Sequence, residues 1–339
     1  MPSPILILDG GLGTSLEDKY SVHFSSATTP LWSSHLLLTD LPTLLRCQSD
    51  FAACPVDILE TATYQISPES FARTPLPVSA TATIPSAVLS AVNTAHSALA
   101  HTACPAAHTA LSFGPYGACM VPSTEYSGAY DTTHLSSASL LAWHAARFAL
   151  FTRDPRVVAG VAYMAFETVP RLSEILALRA LLASVDVGSA KVWISCVFPG
   201  AATGLPDGTS ARDALRGMLA PEHGGVPWGV GVNCTKIEKL EMVIAAYEEA
   251  LAEMVREGSV REKPALVVYP DGTNGEVYNT TTQVWEIPEG VERPKELWEM
   301  RLAQIVKGVA ERGMWKEVVV GGCCKASHLD IAKLRALVK

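Results

Sequence analysis

Apolar residues in this chain gather into short β-rich runs. Each is stopped by a glycine, a proline or an acid and is followed by a stretch with helical spacing. Eight such runs predict strands at residues 5–8, 57–63, 109–113, 157–166, 191–198, 228–233, 265–269 and 317–320. Between them the apolar period lengthens to that of a helix. A helix is predicted over 42–53, and another starts at Pro85 with Val88, Val92 and Ala95 on one face. Others cover 136–151 and the stretch after Pro170 that carries Leu172, Ile175, Leu178 and Leu182. Thr235 and Glu238 predict a capping box ahead of the stripe Leu240, Ile244, Tyr247, Leu251 and Met254, with Gly258 as the stop. Trp298, Leu302, Ile305 and Val309 mark the next helix, and 327–338 the last.

Strict alternation of strand and helix means parallel strands joined by right-handed crossovers. Eight units predict a single (β/α)8 TIM-type barrel over residues 1–339, with an open doubly wound sheet as the rival. The chemically loaded residues favour the barrel. They follow strands one, four, six and eight, and only a closed barrel brings all four ends to one mouth. Residues 67–109 are rich in Ala, Ser, Thr and Pro and are the part of the domain least well placed by pattern.

Composition narrows the class. Of 339 residues, 48% are hydrophobic and 18% charged, which suits a folded enzyme rather than a disordered or coiled protein. The net charge of −8, with no Lys/Arg cluster, argues against nucleic acid or an anionic membrane as partner. No apolar run is long enough to span a bilayer, and residues 5–8 are too short for a signal-peptide core, so the expected location is the cytoplasm. Eight cysteines without framework spacing then predict free thiols and metal ligands rather than disulfides.

The last strand ends in Gly321-Gly322-Cys323-Cys324. Neighbours on a strand point to opposite faces, so two adjacent thiols share one ion only if the strand stops first. The two glycines supply the stop, through backbone angles other residues avoid. Cys234 ends the sixth strand. Three thiolates from two strand ends would leave one corner of a tetrahedral zinc open, as catalytic sites do. Read blandly, they are buried small hydrophobes or a redox-active pair of neighbours.

Asp9 and Glu167 follow strands one and four, where carboxylates can hold an ammonium group or act as acid and base. An Asx turn at Asp9 and a helix-start charge at Glu167 are compatible readings. The Gly10–Thr14 loop offers backbone N–H groups to a substrate carboxylate, but it lacks the third glycine of a dinucleotide fingerprint. There is no His-x-His, His-Glu-x-x-His, phosphate loop or Gly-x-Ser-x-Gly.

Taken together, Leu8-Asp-Gly-Gly-Leu-Gly-Thr14, Pro30-Leu-Trp-Ser33, Glu60-Thr-Ala-Thr-Tyr-Gln65, Gly114-Pro-Tyr-Gly-Ala118, Phe166-Glu-Thr-Val-Pro170, Gly231-Val-Asn-Cys-Thr235, Tyr269-Pro270 and Gly321-Gly-Cys-Cys324 occur in the order found in one family. The chain resembles the homocysteine S-methyltransferases, zinc-dependent barrels that make methionine. The resemblance implies that Cys234, Cys323 and Cys324 bind Zn2+. It also implies that Asp9 and Glu167 hold the homocysteine amino group, and that the Gly10–Gly11 backbone receives its carboxylate. The donor would be a sulfonium, S-methylmethionine or S-adenosylmethionine, and the only other partner the small-molecule acceptor; oligomeric state is not implied. Betaine as donor, or another thiol or selenol acceptor, is the alternative on the same fold. A non-catalytic zinc- or redox-sensing protein is the alternative of another class. Three stretches depart from the family pattern: Asp271-Gly-Thr-Asn-Gly-Glu276 in place of a shorter turn, Lys325 in place of arginine, and 67–109.

Overall fold

The structure, a computed structural model, describes residues 1–25, 28–75, 79–100, 104, 106–200, 203–273, 275–279, 284–287, 289–290 and 296–339. Its strands in chain order are β1 (Ile5–Ile7), β2 (Ile58–Glu60), β3 (His108–Phe113), β4 (Tyr163–Val169), β5 (Lys191–Cys196), β6 (Gly229–Asn233), β7 (Ala265–Tyr269), β8 (Val277–Asn279), β9 (Val284–Glu286) and β10 (Val318–Val320). β8 and β9 pair as a small antiparallel hairpin. The other eight form one parallel sheet in the order β1-β10-β7-β6-β5-β4-β3-β2. Its two edges then meet. Leu8 bridges Ile58, Asp57 N–H donates to Ile7 O at 2.8 Å, and Ile7 N–H donates to Asp57 Oδ2 at 2.7 Å. The result is a nearly closed (β/α)8 barrel, as the alternation of patterns predicts.

Side chains alternate across each barrel strand. Leu8, Ile58, Ala110, Ala165, Trp193, Val267 and Val319 fill the interior, whereas Leu59, Leu111, Met164, Ile194, Leu266 and Val320 pack outward against the helices. The same period carries Glu60, Ser112, Glu167, Ser195 and Tyr269 to the interior side, one step nearer the C-terminal mouth. Ser112 Oγ donates to Glu167 Oε1 there, and the Ser195 and Tyr269 hydroxyls lie 2.6 Å apart. The hydrophobic pattern therefore ends in a polar layer, and that layer floors the mouth.

Several boundaries differ from the expectation. Residues 155–159 are a short helix rather than the start of β4, because the Asp154 carboxylate caps it and Pro155 opens it; β4 instead runs on through Glu167. The helix expected to begin at Pro85 spans Ala80–Leu99 with the proline inside it. The carbonyl that Pro85 cannot bond, Thr81 O, accepts from Arg153 Nη1 at 2.9 Å instead. The Thr235–Glu238 capping box does not form. Thr235 Oγ1 accepts from Phe198 N–H (2.9 Å) and donates to Asn233 O (2.9 Å), and the helix Ile237–Arg256 starts without a side-chain cap. A capping box is present at Ser327 and Asp330, ahead of His328–Val338. Helices at Leu12–Tyr20 and Ala211–Leu219 and the β8–β9 hairpin are additional to the expected set. Within the uncertain 67–109 segment the structure shows helices Pro68–Ala72 and Ala80–Leu99; residues 76–78, 101–103 and 105 lie outside the described residues. Among the described residues, no helix is long and apolar enough to cross a membrane.

Candidate active site

The three cysteines singled out by sequence come together. Cys234, Cys323, Cys324 and the carboxylate of Asp271 present ligand atoms that all lie within 4.8 Å of one another. Backbone hydrogen bonds knit the loops that carry them. Cys234 N–H donates to Tyr269 O (3.2 Å), Asp271 N–H to Thr235 O (3.1 Å), Cys323 N–H to Pro270 O (2.8 Å) and Gly272 N–H to Cys324 O (2.7 Å). The ends of β6, β7 and β10 thus act as one unit. Asp271 was legible only as the first residue of an atypical turn; its place among the thiols follows from the crossing of those loops. Asn274 of that turn lies outside the described residues.

Cys234 and Cys323 are joined as a disulfide in this structure, with Cα atoms 5.5 Å apart, while the other six cysteines form no disulfide. The expectation of free thiols therefore fails for this pair. Two strand ends deliver both sulfurs to one point, within the separation a disulfide bridges. Burial pushes the Cys324 thiol up, and the neighbouring Asp271 charge adds to it. Burial likewise pushes Asp271 up to about 7, and its Oδ1 is enclosed without a hydrogen-bond partner among the described residues. Two groups that resist ionisation this way, beside two further sulfurs, make a donor set that a soft divalent cation would stabilise.

β10 ends at Val320, ahead of Gly321 and Gly322, and what requires glycine at these two positions is want of space. Neither has a positive φ. A Cβ on Gly321 would stand 2.5 Å from Asp9 O, and one on Gly322 would overlap Ala326 Cβ. Left-handed backbone occurs instead at Thr168 (φ 61°), Cys234 (φ 46°) and Lys325 (φ 67°), none of them glycine. Such conformations persist only where neighbours over-determine them. Asn233 does this for two of the three. Its Oδ1 accepts from Thr168 N–H (2.8 Å) and Ser195 Oγ (3.0 Å), and its Nδ2 donates to Thr168 Oγ1 (2.7 Å) and Cys234 Sγ (3.2 Å).

In the same mouth sit Asp9 and Glu167, both buried. Burial pushes Asp9 up to about 8; the Glu60 N–H, donated to Asp9 Oδ2 at 3.0 Å, opposes this, and the charge of Glu167 adds to it. Burial pushes Glu167 up to about 7 against hydrogen bonds from Ser112 and Tyr269. Glu60, which the sequence reading left out of the site, joins them. Burial first, then the charges of Glu167 and Asp9, raise its carboxyl well above the ordinary range. The signal for it was the period of two, which turns the residue two beyond Ile58 inward.

Gly10 and Gly11 pass close beneath the cysteine loop: a Cβ on Gly11 would stand 2.5 Å from Cys323 O. The Gly11 N–H donates to Ala326 O at 2.9 Å, and a helix begins at Leu12. What the expected loop offers an anion is therefore the first turn of this helix beside Gly10.

A family model described as Homocysteine S-methyltransferase matches residues 6–338. The homocysteine S-methyltransferase of Escherichia coli (strain K12) is 30% identical over 338 residues, covering 98% of this chain and 94% of that protein. The crystal structure of the homocysteine methyltransferase MmuM from Escherichia coli in a metallated form aligns over 98% of this chain and 96% of that one, with a TM-score of 0.69 and 27% identity. An oxidized form of the same protein aligns with the same TM-score at 26% identity, over 98% of this chain and 95% of that one.

Proposed function

The chain belongs to the homocysteine S-methyltransferase family, a class of methyltransferase enzymes, and on that premise we propose that it moves a methyl group from a sulfonium donor to the thiolate of homocysteine, giving methionine. The observation that carries this reading is the presence, in one barrel mouth, of a sulfur-rich donor set and buried carboxylates.

Cys234, Cys323 and Cys324 would hold Zn2+ once a thiol reductant has supplied two electrons and opened the Cys234–Cys323 bond to two thiolates. Their donor set fits that ion, with Asp271 beside it. When bound, zinc supplies a Lewis acid that deprotonates the acceptor thiol, so that the reactive thiolate exists near neutral pH. Asp9 and Glu167 hold the α-ammonium of homocysteine, which gives their enclosed carboxyl groups the cation they lack and favours their ionised forms. The helix N-terminus beside Gly10 and Gly11 receives the α-carboxylate. With both ends of the amino acid fixed, its sulfur faces the donor's methyl carbon. The new S–C bond forms as the old sulfonium S–C bond breaks, and the electron pair departs on a neutral thioether. Alignment of the two reactants is the protein's main contribution to rate.

The disulfide favours a second reading, a redox sensor built on the same thiols, but a sensor has no need of the carboxylates in the same mouth. A donor panel separates the readings. S-methylmethionine, S-adenosylmethionine and betaine are each offered with homocysteine, and methionine is followed by mass spectrometry. A kcat/KM for one sulfonium at least tenfold above betaine is the expected result. A preference for betaine would reassign the donor, and no turnover with any donor would favour the sensor.

A further inference from the structure

Where the sequence points to two acids as the seat of an amino group, the structure sets three. Glu60 ends β2, two positions beyond the inward-facing Ile58. Its N–H is bonded to Asp9 Oδ2 at 3.0 Å, and its carboxyl lies near enough to Asp9 and Glu167 to feel both charges. Its Oε1 is enclosed and has no hydrogen-bond partner among the described residues. Burying a carboxylate oxygen without a donor is costly, and such an atom asks for an explanation. A structural role does not provide one. The contact that holds this residue to its neighbour helix is made by its backbone, Gln48 Nε2 donating to Glu60 O at 2.9 Å. An apolar side chain would close the barrel at lower cost. Nor, among the described residues, does a built-in cation provide one. Arg147, whose charge reaches Glu167, directs its guanidinium to the carbonyls of Ile66 (2.6 Å), Gly114 (2.6 Å) and Tyr64 (2.7 Å).

An α-ammonium has three N–H donors. Asp9 and Glu167 offer two carboxyl groups, and Glu60 Oε1 is a third acceptor, already enclosed and unused. We propose that Glu60 is a positioning residue of the acceptor site, taking the third N–H of the bound amino acid's ammonium and so selecting amino-acid thiols over simple ones. This rests on the homocysteine reading above. A site built around three acceptors rejects a ligand without the amine, because the buried oxygens would then be left unpaired.

The test compares two acceptors that share a thiol, a chain and a carboxylate and differ in the amine: homocysteine and 4-sulfanylbutanoate, the latter measured as substrate or as competitive inhibitor. Glu60→Gln is expected to raise KM for homocysteine about tenfold while kcat stays within about twofold, as for a lost charge-assisted hydrogen bond. Its KM or Ki for 4-sulfanylbutanoate should equal the wild-type value or improve on it. Glu60→Asp, with the charge kept, should recover part of the homocysteine affinity. An equal loss on both acceptors would mark Glu60 as structural, and no loss on either would remove it from the site; both overturn the proposal. A wild-type protein that binds and methylates neither thiol would bring down the acceptor reading itself, and this inference with it.

Discussion

Replacing Asn233 by alanine tests how the left-handed turns of the site are held. The side chain is fully buried and makes four hydrogen bonds, to Thr168 N–H, Thr168 Oγ1, Ser195 Oγ and Cys234 Sγ. Two of the partners can adapt. Ser195 Oγ keeps the Tyr269 hydroxyl at 2.6 Å, and Thr168 Oγ1 retains Cys234 Sγ at 3.8 Å. The Thr168 N–H cannot, because Thr168 is 1% exposed and its amide is held, among the described residues, by Asn233 Oδ1. An orphaned buried amide costs about 1–3 kcal/mol, and the lost side-chain volume adds to that. We therefore expect Asn233→Ala to lower stability by about 2–4 kcal/mol in urea unfolding of the reduced protein, with the slope unchanged. Zinc affinity should fall as well, by about tenfold or more, because Cys234 loses the donor that orients its sulfur. Asn233→Asp keeps the acceptor oxygen and loses both donated bonds, so it should recover most of the stability but not the zinc affinity. An alanine variant within about 0.5 kcal/mol of wild type, with zinc affinity intact, would refute the reasoning.

Three further outcomes are expected. Cys234→Ser should leave the reduced protein folded but without stoichiometric zinc, as read by metal analysis alongside circular dichroism; full zinc occupancy would remove Cys234 from the ligand set. Glu167→Gln should raise KM for homocysteine about tenfold with zinc content unaltered, and an unchanged KM would take Glu167 out of the acceptor site. The pH dependence of stability has a definite sign. Asp9 and Glu167 have folded-state values raised to about 8 and about 7, above those of an unfolded chain. The folded state therefore keeps protons that the unfolded state releases, and these groups make stability fall as pH rises from about 4 toward 8. Urea midpoints of the ligand-free protein should follow that slope and flatten in Asp9→Asn; a midpoint that rises over this window, or no flattening, would contradict the assignment.

The barrel was legible because its interior repeats with period two and its helices with period 3.6, and burial enforces both. What escaped the pattern was decided by contacts distant in sequence. The helix over 80–99 passes through Pro85 because Arg153, from another element, takes the freed carbonyl. Thr235 gives up its capping role to hold Phe198 N–H, and no local rule reports that exchange. Ala211–Leu219 begins with a cap at Ser210 that bonds Asp213 N–H at 3.1 Å, a signal the sequence did carry. In the site, Cys234, Cys323, Cys324, Asp9 and Glu167 stood out as reactive groups at strand ends. Asp271, Glu60 and Asn233 did not, since a turn acid, an acid inside a strand and an asparagine before a cysteine have ordinary structural readings. Their part comes from where β2, β6 and β7 end in space.

The most direct test of the whole account follows methionine formation from homocysteine and S-methylmethionine by mass spectrometry, with three preparations of the protein. One is reduced and zinc-loaded, one is reduced and stripped with a chelator, and one has the Cys234–Cys323 disulfide intact. Methionine is expected from the first alone, with activity returning to the others when zinc, or a reductant and then zinc, is supplied. Equal turnover by the stripped or disulfide-bonded protein would contradict it.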